Sequence, residues 1–151
     1  MPGDAVPVDG YEIPHSIREA VRLRNPATVF PYGSSTSRTM QADHTIAYLD
    51  TAKGGPPGQT TPDGLGPFAQ PEHNLKTHSG WQIRQPTPGV YLWRSPHGWI
   101  HLVTNTGTHN LGTGPTAHAI WHAAEPREDS RDAIRDRLLQ ARRWKLARCA
   151  I

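Results

Sequence analysis

The chain has 151 residues, enough for one modest domain with tails. Hydrophobic residues make up only 35%, against 14 Gly and 15 Pro, so the core must be small and the loops long. The lone Cys149 excludes an internal disulfide and a multi-cysteine zinc site, no apolar run approaches the roughly 18 residues of a membrane span, and a net charge of +3 admits nucleic acid as a partner without requiring it.

Residues 1–10 are polar and rich in Pro and Gly, which predicts a disordered lead. Met1-Pro2-Gly3-Asp4 has neither a basic nor an apolar leader region, so no signal peptide is expected and the cytoplasm is the default compartment. Pro14 to Arg24 predicts a helix, with Pro14 in its first turn and Ile17 and Val21 on one face; Asn25-Pro26 ends it. Thr28-Val29-Phe30 is a short strand candidate closed by Pro31-Tyr32-Gly33. Gln41 to Tyr48 has strand character around Thr45-Ile46, and Lys53 to Pro67 reads as a long loop around Gly54-Gly55-Pro56-Pro57-Gly58. Pro71 costs about 3 kcal/mol inside a helix but is tolerated in a first turn, so the next helix is expected from about Pro71 to Thr77.

Three strands follow: Trp81 to Gln85, Val90 to Arg94 and Trp99 to Val103. Pro86-Thr87-Pro88-Gly89 and Ser95-Pro96-His97-Gly98 are the turns of this meander. Asn105 to Gly114 reads as a loop, Ala117 to Ala124 as a weak helix, and Asp129 to Arg148 as a charged helix. Arg127 to Arg148 holds eight basic and four acidic residues, and Arg142-Arg143-Trp144-Lys145 is its most basic patch. It reads as a solvated helix face or as a contact to DNA phosphates through Arg142 and Arg143.

Nine histidines are many for this length. Asp43-His44 and the segment Glu72-His73-Asn74-Leu75-Lys76 concentrate the chemistry. Asp43 can offer oxygen and His73 nitrogen to one divalent cation. His44 is the residue type suited to a general base near neutral pH. A metal ion beside a base is what metal-assisted phosphodiester hydrolysis requires. Lys76 reads as a solvated helix residue or as a phosphate contact. His118 and His122, at i and i+4, share a helix face, but no third ligand is obvious. Trp81, Trp93 and Trp99 read as packing residues of the sheet.

The ordered set Asp43-His44-Thr45, Gly54-Gly55-Pro56-Pro57-Gly58-Gln59-Thr60, Asp63-Gly64-Leu65-Gly66-Pro67, His73-Asn74-Leu75-Lys76-Thr77-His78-Ser79-Gly80-Trp81 and Trp93-Arg94-Ser95-Pro96-His97-Gly98 resembles the HNH endonucleases. More narrowly it is similar to the C-terminal HNH domain of a large actinobacterial repeat-encoded family, in which a helical domain usually comes first. The similarity runs from about Tyr11 to Gly112. It implies an α+β fold: a small ββα-metal (His-Me finger) core, then a three-stranded antiparallel meander, with flanking helices at both ends. The organisation expected is a lead over 1–10, a nuclease domain over 11–112 and a basic helical extension over 113–151. The resemblance implies His44 as general base, Asp43 and His73 as ligands of one Mg²⁺ or Mn²⁺ ion, and DNA as substrate.

Two departures qualify that expectation. Where the family carries a middle Asn that steadies the loop bearing the base, this chain has Gly64, which offers no side-chain hydrogen bond. Where many relatives hold a structural zinc with four cysteines, the matching positions are Thr28, Gly33, Met40 and Ala69, so no structural zinc is expected. Packing of Phe30, Tyr32, Met40 and Phe68 is then the expected replacement. The rival reading is a catalytically weak or silent nucleic-acid-binding remnant of such a protein; a third is a truncated reading frame.

Overall fold

The structure, a computed structural model, describes residues 5–125. The fold is α+β, with three helices and two antiparallel sheets among the described residues. None of those helices is long and apolar enough to cross a membrane.

Helix α1 spans His15–Arg24, one residue inside its predicted start, and buries Ile17 and Val21. They pack on Leu65 together with Val8 and Ile13, and each buried aliphatic side chain contributes about 1.5–3 kcal/mol. Arg24 ends the helix by donating to the carbonyls of Pro62 (2.5 Å) and Leu65 (2.6 Å), which moors α1 to the chain ahead of the second strand.

Strand β1 is Gln41–His44 and pairs antiparallel with β2, Leu65–Phe68, so that Asp43 faces Gly66 and His44 faces Leu65. β1 stops before Thr45–Ile46, where strand character was expected. The Thr45 N–H turns instead to the carbonyl of Gly64 (3.0 Å). β2 begins inside the span expected to be loop and runs one residue past it. Gly66 and Pro67 hide it from a propensity reading, and tertiary pairing overrides that preference. Gly66 is required by close packing, because a Cβ there would lie 2.9 Å from Val29 Cγ2 and 3.0 Å from Tyr91 Cε1.

Thr28 to Phe30 form no strand. Pro26 and Pro31 flank them, and Tyr32 turns the chain with a φ of 59°. Val29 still gives its N–H to the Pro67 carbonyl (3.1 Å), so the segment lines β2 without a ladder. Helix α2, Gln70–His78, follows β2 directly and packs on β1.

The second sheet has four strands rather than the three expected: β3 (Gln82–Thr87), β4 (Val90–Arg94), β5 (Ile100–Thr104) and β6 (Gly107–Gly112), in sequence order. The addition, β6, runs through Gly-Thr-His-Asn-Leu-Gly, a composition poor in strand formers that pairing with β5 recruits at the edge. β4 is buried on both faces. Tyr91 and Trp93 join Val29, Phe30, Phe68 and Val103 on one side, while Leu92 joins Ile100, Ala117 and Trp121 on the other. The second cluster is covered by α3, Pro115–Ala123, whose arrival turns the expected weak helix into a packed one. Of the three tryptophans expected to pack, Trp93 is fully buried and Trp81 packs against its cluster, but Trp99 is 45% exposed. The predicted helix over 129–148, with Arg142 and Arg143, lies outside the described residues.

Candidate metal centre

Hairpin β1–β2 and helix α2 bring the acidic and basic side chains together. Asp43 projects from β1 toward α2. His73 and Lys76, three residues apart on α2, share the face that meets it. His73 Nε2 lies 3.4 Å from Asp43 Oδ2, and Lys76 Nζ donates to the same oxygen at 2.5 Å. Lys76 also donates to the backbone carbonyl of His44 (2.8 Å). Asp43 and Lys76 are largely shielded, with side chains 15% and 16% exposed.

The donor set can be tested against one divalent ion. Two ligand bonds of about 2.1 Å that meet at about 108° span the observed 3.4 Å. A hard ion such as Mg²⁺ keeps several waters and often takes only one or two protein groups. Among the described residues there is no cluster of three or more His, Cys, Asp or Glu, so the protein share of such a site is one oxygen and one nitrogen. Lys76 holds its ammonium against the same carboxylate oxygen, in the role of a cation. An ion would bind in competition with it.

His44 neighbours Asp43 but turns to the opposite side of β1 and is 4% exposed. Its Nε2 lies 2.9 Å from Thr60 Oγ1. Tyr11 stacks on its ring at 5.8 Å, and Tyr48 tilts against it at 5.5 Å. Burial pushes its pKa below the ordinary histidine value; Asp43 opposes that shift and Lys76 adds to it. The ring is therefore neutral at neutral pH, the form a base needs. Asp43, His44 and His73 all border one open cleft of about 620 Å³, whose lining also includes Arg18, Arg22 and Arg38 together with Glu12 and Glu19.

Two of the expectations are replaced. Gly64 carries no tethering side chain, yet its carbonyl accepts the Thr45 N–H at 3.0 Å, and the Thr45 hydroxyl lies between that carbonyl (3.0 Å) and Gln85 Oε1 (2.9 Å), which fixes the residue after His44. Glu72 gathers positions that the resemblance aligns with zinc ligands. Its carboxylate accepts from Thr28 Oγ1 and from the Ala69 N–H (2.9 Å), and a Cβ on Gly33 would lie 2.6 Å from it. Three of the four positions matched to zinc ligands thus surround one carboxylate. Phe30, Met40 and Phe68 are buried nearby as expected, but Tyr32 is exposed and packs edge-on to His101 instead.

Sequence reasoning missed Thr60 and Glu72. Thr60 ends the Gly/Pro-rich segment of the ordered set, where nothing marks a threonine as a site residue. Glu72 had a readable signal, an acidic residue in the first turn of α2. His118 and His122 lie on α3, which covers the opposite face of the four-stranded sheet. Comparison with family models, with curated proteins and with solved structures gives no match to this chain.

Proposed function

We propose that this protein is a divalent-metal-dependent endonuclease of the HNH type that hydrolyses DNA phosphodiester bonds. One observation carries the reading. Residues 33 or fewer positions apart in sequence, Asp43, His73 and Lys76, meet at one carboxylate oxygen beside a buried neutral histidine and at the edge of an open cleft. The strand–strand–helix arrangement of β1, β2 and α2 that carries them supports the ββα core that the resemblance implies.

Asp43 Oδ2 and His73 Nε2 would hold the ion, Mg²⁺ or Mn²⁺, which when bound supplies positive charge to the phosphate and to the leaving oxygen. The chain's own groups do the rest. His44, neutral through burial, takes a proton from the attacking water. Asp43, one residue earlier, steadies the resulting imidazolium by its charge. Lys76, whose ammonium sits on Asp43, would neutralise a phosphate oxygen of the substrate. Arg18 and Arg38, which line the cleft, would be candidates for contacts to a nucleic-acid backbone, and Arg142 and Arg143 are further candidates.

Plasmid nicking tests the reading. Supercoiled DNA should be converted to open circles with Mn²⁺ and left intact with chelator, and His44→Ala should lose about 10²–10⁴-fold in rate. Tight DNA binding by the parent with no cleavage under any metal would favour the silent binding module instead.

A further inference from the structure

The loop between β1 and β2 does more than connect them. Thr60 is fully buried, and its backbone pairs with Val8 in both directions (3.0 and 3.2 Å). Its hydroxyl makes two contacts, one to the carbonyl of Gly10 at 2.6 Å and one to His44 Nε2 at 2.9 Å. A carbonyl can only accept, so the single hydroxyl hydrogen of Thr60 is committed to Gly10. The remaining contact then has one solution, in which His44 Nε2–H donates to Thr60 Oγ1.

That leaves Nδ1 as the ring's lone-pair nitrogen. Nδ1 has no hydrogen-bond partner among the described residues. It is also not one of their buried unpartnered side-chain atoms, which are Gln85 Nε2 and His101 Nδ1. Nδ1 is therefore not sealed off from solvent, and His44 borders the cleft.

We infer that Thr60 is a positioning residue. It fixes His44 in the Nε2–H tautomer and presents Nδ1 as the basic atom, a role that rests on the nuclease reading for its use but not for its geometry. The N-terminal segment is part of the device, because Gly10 supplies the acceptor that orients the hydroxyl. Asp9 reinforces it by accepting from the Gly58 N–H (2.6 Å) through its carboxylate and from the Tyr48 hydroxyl (2.7 Å) through its carbonyl.

Nitrogen NMR of protein labelled with ¹⁵N-histidine, at pH about 8 where the ordinary imidazole is neutral, reads the tautomer without reference to activity. The parent should show a protonated Nε2 and an unprotonated Nδ1 on His44. Thr60→Ser should keep that signature. Thr60→Val, close in shape but with no acceptor, should lose it and should lower kcat about tenfold to a hundredfold while KM and Mn²⁺ affinity hold. An Nδ1–H signature in the parent overturns the inference even if no variant folds, and so does an unchanged signature in Thr60→Val. A parent with the expected signature and no nicking upholds the Thr60–His44 assignment and overturns the nuclease reading alone.

Discussion

Replacing Lys76 with Met should tighten metal binding. In the structure Lys76 Nζ lies 2.5 Å from Asp43 Oδ2, and both side chains are about one-sixth exposed, so solvent screens the pair little. A hydrogen bond between charged groups of this kind contributes about 1.5–3 kcal/mol. A divalent ion that takes the same oxygen must break it. Met keeps the aliphatic stem and removes the competing ammonium. At 1.4 kcal/mol per factor of ten, the affinity for Mn²⁺ should rise about tenfold to a hundredfold. Calorimetric titration of parent and Lys76→Met reads this directly. On the proposed function, in which Lys76 would neutralise a substrate phosphate, cleavage should move the other way. Equal or weaker Mn²⁺ binding in Lys76→Met would refute the idea that ammonium and ion share Asp43.

Glu72→Ala removes the acceptor of two bonds, leaves Thr28 Oγ1 and the Ala69 N–H unpaired, and should cost about 1–3 kcal/mol, seen as a lower Tm by differential scanning calorimetry; Glu72→Gln should recover part of it. Burial holds both His44 and His101 below the ordinary histidine value, so the unfolded chain binds more protons than the folded one as the pH falls below about 6.5. Stability should therefore decline with pH below that point, and His101→Phe should flatten the decline in urea titrations at a series of pH values. Gly64→Asn should fold normally, since the backbone there needs no left-handed angle and a Cβ would meet nothing closer than Thr61 Cγ2 at 3.5 Å. Because Thr60 already orients His44, the rate of plasmid nicking should change less than about threefold, well below the effect of a misplaced base.

The elements with strong periodic or turn signals were legible in the sequence. α1, with Ile17 and Val21 one turn apart, and α2, with Pro71 confined to its first turn, fall within one residue of their expected bounds. β3, β4 and β5 follow from their β-branched and aromatic runs between Pro/Gly turns. β2 and β6 were not legible, because Gly66, Pro67 and the polar run of β6 become strand only through partners distant in sequence. The meeting of Asp43 with His73 depends on that unread β2, which sets the register of β1 and delivers α2 beside it. The motif named the participants, while hairpin pairing supplies the distance. Gly64 suggested an untethered loop because only side chains can be counted in a sequence; the tether turned out to be a backbone carbonyl and a threonine hydroxyl.

The most direct test of the metal centre is a crystal soaked in Mn²⁺ and measured with anomalous scattering from manganese. A single strong peak should lie about 2.0–2.3 Å from both Asp43 Oδ2 and His73 Nε2, with the Lys76 ammonium withdrawn from Asp43. A peak elsewhere, on His118 and His122 for example, or no peak with Lys76 still bonded to Asp43, would contradict the account.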